Sequence, residues 1–272
     1  MLARESFGRL FGAPRALIGM IHVGALPGTP GAHHAIDKLI HDAVAEARIY
    51  REAGFTALMI ENMHDRPYVT APAGPEIVAA MTAIGREVKR ETALPLGVQV
   101  LAGANRDAIA VAHACGAEFV RVEGFVFAHV ADEGLIAASA GELLRYRRAI
   151  GAERVRAFAD VKKKHAAHAI TADVPLVETA KAAEFFLADG VIVTGAATGQ
   201  EASPSEVRDV ADAVATPVLV GSGLTPGNLA RYACADGFIV GSSIKHDGLW
   251  SNALDPAAAR AMAAAFAALE PA

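Results

Sequence analysis

Two runs decide how this chain folds: Val218-Leu219-Val220-Gly221-Ser222-Gly223, and Gly237-Phe238-Ile239-Val240-Gly241-Ser242-Ser243. Each is a short apolar stretch, rich in β-branched residues, that breaks into glycine and serine. That is the pattern of a buried strand feeding a tight turn. Pro226, between them, suits the first turn of a helix, where its missing N–H costs nothing. Strand, helix, strand in succession makes parallel neighbours. Working outward, the same alternation predicts strands at 17–22, 57–61, 96–101, 119–123, 155–160, 191–194, 218–221 and 238–241. Helices are predicted at 36–53, 75–91, 106–115, 140–150, 175–187, 205–214, 226–233 and 256–269. Eight such units are the number that closes a parallel barrel. The expectation is therefore an α/β protein, a single (β/α)8 TIM barrel over residues 16–272, with an N-terminal extension at 1–15. A doubly wound open sheet usually has fewer strands and a glycine fingerprint near its start, which is absent here.

Bulk composition narrows the partners. With 272 residues, a formal net charge of -5 and 6% aromatics, the chain offers neither a basic stripe nor stacking platforms, so no nucleic-acid partner is expected. No apolar run reaches the ~20 residues needed to span a bilayer, so stable membrane insertion is not expected either. Cys115 and Cys234 lie far apart in apolar helical stretches, which points to a reducing compartment rather than a disulfide scaffold. The opening segment carries Arg4, Glu5 and Arg9 and lacks a long apolar core, so it does not read as a signal peptide, and a cytoplasmic location is expected.

Side chains alternate across a strand, so each strand splits into a helix-facing and a barrel-facing set. The barrel-facing set includes His22, Glu61, Gln99, Arg121, Glu123, Asp160 and Lys162, nearly all at C-terminal strand ends. That is the face on which barrels of this kind carry their active sites. A purely structural ion-pair network, Arg121 with Glu123 or Asp160, is the competing explanation. Burying so many charges is costly unless they are paired or poised for a ligand.

Three turns on the other half of the ring are rich in glycine: Thr194-Gly195-Ala196-Ala197-Thr198-Gly199, Gly221-Ser222-Gly223 and Gly241-Ser242-Ser243. Glycine lets backbone N–H groups approach an anion, and turns after the last two strands are the usual phosphate site of this architecture. Lys245 is placed to add a point charge. Around the charged half, Asn62 and Asp65 follow the second strand and offer an amide and a carboxylate. His165 and His168 have a spacing that, on a helix, would let both ligate a divalent metal with Asp160, although the stretch follows a strand end and reads as a loop. No metal or other cofactor is expected from the remaining motifs. The proline- and glycine-rich loop around His33 and His34 has the length of a lid or a subunit contact.

Taken together these segments resemble the BtpA/SgcQ family. The resemblance rests on Gly19-Met20-Ile21-His22-Val23-Gly24-Ala25-Leu26-Pro27-Gly28 and on Glu61-Asn62-Met63-His64-Asp65 with Pro67-Tyr68. It rests equally on Ala159-Asp160-Val161-Lys162-Lys163-Lys164-His165 and on the three glycine turns, and it spans residues 16–266. His64 stands where many members have a small residue. The resemblance implies a ribulose-phosphate-binding type of barrel. Cyanobacterial members are associated with photosystem I biogenesis, whereas SgcQ-like members look like sugar- or nucleoside-related enzymes.

The expected function is an enzyme acting on a small phosphorylated sugar or nucleoside-type metabolite. Thr194, Gly195, Gly221, Ser222, Gly223, Gly241, Ser242, Ser243 and Lys245 would hold the phosphate. Glu61, Glu123 and Asp160 would serve as acid–base groups, with Lys162 or His22 polarising an oxygen. A Schiff base at Lys162 is the covalent alternative, disfavoured because Asp160 would tend to keep that amine charged. The rival functions are an accessory factor for photosystem I assembly without turnover and a sensor of phosphorylated metabolites. A homo-oligomer is expected, as is common for such barrels.

Overall fold

In a computed structural model, which describes residues 4–195 and 199–269, the apolar runs pair as parallel strands around a closed ring. The strands are β1 (Ala16–His22), β2 (Ala57–Glu61), β3 (Leu96–Gln99), β4 (Phe119–Val122), β5 (Arg156–Val161), β6 (Gly190–Thr194), β7 (Val218–Gly221) and β8 (Gly237–Val240). Each pairs with the next, and β8 returns to β1 with Leu17 opposite Phe238 and Gly19 opposite Val240. The helices are α1 (Arg4–Phe11), α2 (Ile36–Ala53), α3 (Pro75–Thr92), α4 (Asn105–Cys115), α5 (Ala140–Ala149), α6 (Leu176–Phe185), α7 (Pro204–Ala213) and α8 (Pro256–Ala267). This is the (β/α)8 barrel expected from the alternation. Among the described residues, no helix is long and apolar enough to cross a membrane.

Strand alternation sorts the core into two layers. Leu58, Ile60, Val98, Val120, Ala157, Val191 and Val218 pack outward against the helices. Ile18, Met20, Met59, Phe119, Phe158, Ile192, Leu219 and Ile239 fill the lower interior of the barrel. Two rings fit inside because neighbouring strands carry glycine: a Cβ on Gly97 would lie 2.2 Å from the Phe119 ring. The upper interior is where the polar set emerges.

Three features depart from the sequence reading. The N-terminal extension is not separate from the barrel. Helix α1 closes its lower end, with Phe7 and Phe11 buried against each other at 4.5 Å, Phe11 at 5.5 Å from Phe119, and Phe7 at 6.0 Å from Phe158. Burial of each ring contributes roughly 1.5–3 kcal/mol. The helix predicted at 226–233 is a single 3₁₀ turn, Leu229–Tyr232. There Asn228 accepts the Thr225 amide at 2.8 Å, forming a side-chain-closed turn that uses up the residues a helix would need. Finally, the loops after β4 and β5 build a small antiparallel sheet from His129–Ala131, Gly134–Ile136 and Ala166–Ala167, too short to show any period in the sequence.

Candidate active site

The C-terminal ends of the strands surround a cavity of about 140 Å³. It is lined on one side by His22, Glu61, Arg121 and Lys164, and on the other by Ser222–Gly223, Thr225 and Gly241–Ser243. The sequence-predicted residues thus separate into those that reach this cavity and those committed elsewhere.

Arg121, from β4, donates to both carboxylate oxygens of Asp160, from β5, at 2.9–3.2 Å. Both side chains are almost completely buried. Burial alone would lower the Arg121 pKa, but Asp160 and Glu61 outweigh it and raise it, so the guanidinium stays charged. Glu123 accepts from Gln99 Nε2 at 3.1 Å and from the Gly103 amide at 3.0 Å, and it pairs with Lys163 at 3.2 Å. Lys163 also reaches Glu133, at 2.9 Å, in the hairpin of the small antiparallel sheet, and so pins that sheet over the barrel mouth. Gln99 Oε1 is left buried without a partner.

His22 and Glu61 face each other on the charged side of the cavity. The Nδ1 of His22 lies 2.9 Å from the Trp250 carbonyl. A carbonyl only accepts, so Nδ1 carries the hydrogen and Nε2 keeps its lone pair. That lone pair lies 3.6 Å from Glu61 Oε2, too far for a direct bond and near enough for a ligand oxygen to bridge. Burial, followed by the charge on Lys245, lowers the His22 pKa to about 3, which keeps the ring neutral. Burial raises the Glu61 carboxyl pKa, with Arg121 and Lys164 pulling the other way. A carboxyl whose pKa is raised by burial holds its proton more readily than a free one, which suits it to donate a proton to a ligand.

Lys162 does not enter the cavity. Strand β5 ends at Val161, and Lys162 adopts a left-handed φ of 53°, which breaks the alternation that would have aimed it inward. Its amine points to the Thr171 carbonyl, 3.5 Å away. Lys164, two residues on, lines the cavity instead. The run Lys162-Lys163-Lys164 marks a cationic segment fit for a substrate phosphate or carboxylate, but which of the three faces inward is not legible, because a non-glycine residue with positive φ leaves no mark in the sequence. Lys245 is likewise elsewhere: it is buried and ion-paired with Glu46 of α2, so it is not placed to hold a phosphate.

Asn62 and Asp65 hold loops together. Asn62 donates to Asp65 at 2.9 Å and accepts the Leu101 amide at 2.7 Å, while Asp65 accepts the Leu26 amide at 2.7 Å. The stretch with His165 and His168 is not helical. His165 is exposed with φ 53°, while His168 meets the Lys163 carbonyl at 2.8 Å and its ring lies 5.5 Å from His129. The shared face supposed for a metal with Asp160 is therefore not formed. Among the described residues, no three His, Cys, Asp or Glu side chains gather to hold a metal ion.

The glycine turns have a tight geometry of their own. A Cβ on Gly223 would fall 2.3 Å from the Glu201 amide nitrogen, and one on Gly195 would fall 2.3 Å from the Gln200 carbonyl oxygen. Gly223 lets the turns after β6 and β7 press together, and Gly195 lets Gln200 lie close against the end of β6. Thr194 Oγ1 is buried at the end of β6 with no hydrogen-bond partner. Ala196, Ala197 and Thr198, part of the predicted third turn, lie outside the described residues. Ser222 and Gly223 both have positive φ, 82° and 67°. Among the described residues, the backbone amides of Gly223, Leu224, Ser242 and Ser243 make no hydrogen bond to another protein group.

A parallel eight-stranded barrel with an ionisable cluster on one side of its C-terminal rim and glycine turns on the other defines the class. The same architecture is seen in thiamine phosphate pyrophosphorylase from Pyrococcus furiosus, with a TM-score of 0.59, 16% identity, and coverage of 94% of this chain and 97% of that one. It is seen again in orotidine 5'-phosphate decarboxylase from Pyrococcus horikoshii, with a TM-score of 0.55, 17% identity and coverage of 92% and 99%. At these identities the likeness is one of fold. The chain belongs to the BtpA family, which it matches over residues 13–268. Its relatives include an uncharacterised mitochondrial protein of Caenorhabditis elegans, 47% identical with 94% of each chain covered. Another is the photosystem I biogenesis protein BtpA of Synechocystis, 35% identical with 88% of this chain and 84% of that one covered.

Proposed function

We propose that this protein is an enzyme acting on a small phosphorylated sugar or nucleoside-type metabolite, with Glu61 moving protons at the end of the ligand remote from the phosphate and neutral His22 accepting a hydrogen bond from a ligand hydroxyl there. The observation that carries this reading is the set of uncommitted amides at Gly223, Leu224, Ser242 and Ser243, on turns lining the cavity that also holds Arg121, Lys164 and Glu61. Clustered amides at a barrel rim are a ready anion site. The likeness in fold to two enzymes whose names contain phosphate supports it. Arg121, fixed by Asp160, stabilises negative charge developing on a ligand oxygen, and Glu61 gives or takes the proton.

A thermal-shift screen with inorganic phosphate, sugar phosphates and nucleotides tests the phosphate site. A compound bound at 100 times its Kd adds about 2.7 kcal/mol to stability. Ser243→Asp, which adds a carboxylate beside the Ser242 and Ser243 amides, should abolish that gain. If no phosphorylated compound stabilises the wild type more than the variant, the phosphate reading is wrong. The Synechocystis relative's name suggests a second reading, an assembly factor without turnover. In a photosynthetic host lacking its own copy, Glu61→Gln should then restore photosystem I content fully, whereas an enzymatic role predicts failure.

A further inference from the structure

The cations at the barrel mouth are nearly all spoken for. Arg121 is held by Asp160, Lys163 by Glu123 and Glu133, and Lys245 by Glu46. Lys164 is different. Among the described residues its amine has no carboxylate within ion-pair reach, although Glu61, Asp160 and Glu123 all act on it electrostatically at longer range. It is partly buried and lines the same cavity as Glu61, Arg121 and the glycine turns. By strand order it follows β5, next to β4 with Arg121, whereas the glycine turns follow β7 and β8. A ligand whose phosphate sits on those turns therefore presents its other end to Lys164.

We propose that Lys164 is a nucleophile that captures the carbonyl carbon of a phosphorylated aldehyde or ketone as a Schiff base. This deepens the phosphate reading above and rests on it. The amine first gives up a proton, and its lone pair adds to the carbonyl carbon while the C=O π electrons move to oxygen. That oxygen takes a proton to give a carbinolamine. Glu61 then protonates the hydroxyl, which leaves as water as the nitrogen lone pair forms the C=N bond. Overall, one ammonium and one carbonyl give one protonated imine and one water, with no oxidant or reductant needed. Desolvation and a cationic neighbour are the two usual means of making a lysine amine nucleophilic. Both act here, since burial and then Arg121 lower the Lys164 pKa.

The test is borohydride trapping. The full-length protein is mixed with glyceraldehyde 3-phosphate or dihydroxyacetone phosphate, each below its own Kd, then reduced with sodium borohydride and mapped by peptide mass spectrometry. The expected result is a mass increment equal to the probe less one oxygen, on Lys164 and well above that on the exposed Lys181. Inorganic phosphate at about 100 times its Kd should cut this labelling about a hundredfold, because only that fraction of sites stays free. Lys164→Arg keeps the positive charge, so it should keep phosphate-induced stabilisation and lose the adduct. If phosphate stabilises the wild type but Lys164 is labelled no more than Lys181, the Schiff-base role is overturned and the phosphate site stands. If Lys164 is labelled but phosphate neither protects it nor stabilises the protein, the phosphate reading fails and the proposal, as stated, goes with it.

Discussion

At the scale of single residues, His22 and Glu61 show how one cavity pushes two groups in opposite directions. Burial disfavours the charged form of each, so the imidazole pKa falls and the carboxyl pKa rises. For His22 the pH consequence is definite. The unfolded chain binds a proton below the ordinary value of 6.5, and the folded chain only below about 3. Stability from this residue is therefore fully present above 6.5 and is lost as pH falls towards 3. His22→Gln should lose less stability than the wild type between pH 7 and pH 5, by about 2 kcal/mol, in urea denaturation at the two pH values. Equal losses would mean that the ring protonates in the fold as it does in water. The Arg121–Asp160 pair makes the second residue-scale prediction. Asp160→Ala strands a buried guanidinium, which costs roughly 3–5 kcal/mol and reads directly as a shifted denaturation midpoint.

Helix α1 behaves as a stopper, and its role is separable from the site. Phe7→Ala should cost about 3–5 kcal/mol, the range for a buried ring lost from a core. It should leave phosphate-ligand affinity unchanged, because the ring lies at the end of the barrel opposite the glycine turns. A calorimetric titration showing weakened binding would mean that the two ends are coupled. This element also marks what the sequence could and could not disclose. The strands were legible because alternation and β-branched runs are local, and so was the inward set His22, Glu61, Arg121 and Asp160. Lys162 was misplaced because the alternation fails at a positive φ just past a strand end, and Lys245 because its partner Glu46 lies far away in the chain. Phe7 and Phe11 gave no hint of burial, because the surface that covers them is assembled from several distant strands.

For the whole molecule, the barrel wall and its furnishings should differ in stability. The eight strands are paired on both edges and buried, whereas the antiparallel sheet over the mouth has strands of two or three residues and leaves Val130 and Leu135 exposed. Amide hydrogen exchange should be slowest in β1 to β8 and faster by orders of magnitude in residues 129–136, because short, half-solvated pairs open without global unfolding. Uniform protection would contradict that division.

The stopper has one more consequence, for the order in which the chain is synthesised. Residues 4–11 emerge well before the surfaces they need. Phe11 waits for Phe119, Phe7 waits for Phe158, and the socket is complete only when Gly237 brings β8 against β1, since Phe7 lies where a Cβ on that glycine would touch its ring. Two aromatic side chains thus stay uncovered during nearly the whole of translation, a period when exposed apolar surface invites aggregation. On a ribosome, this protein has to be looked after from its first turn of helix until its last strand arrives.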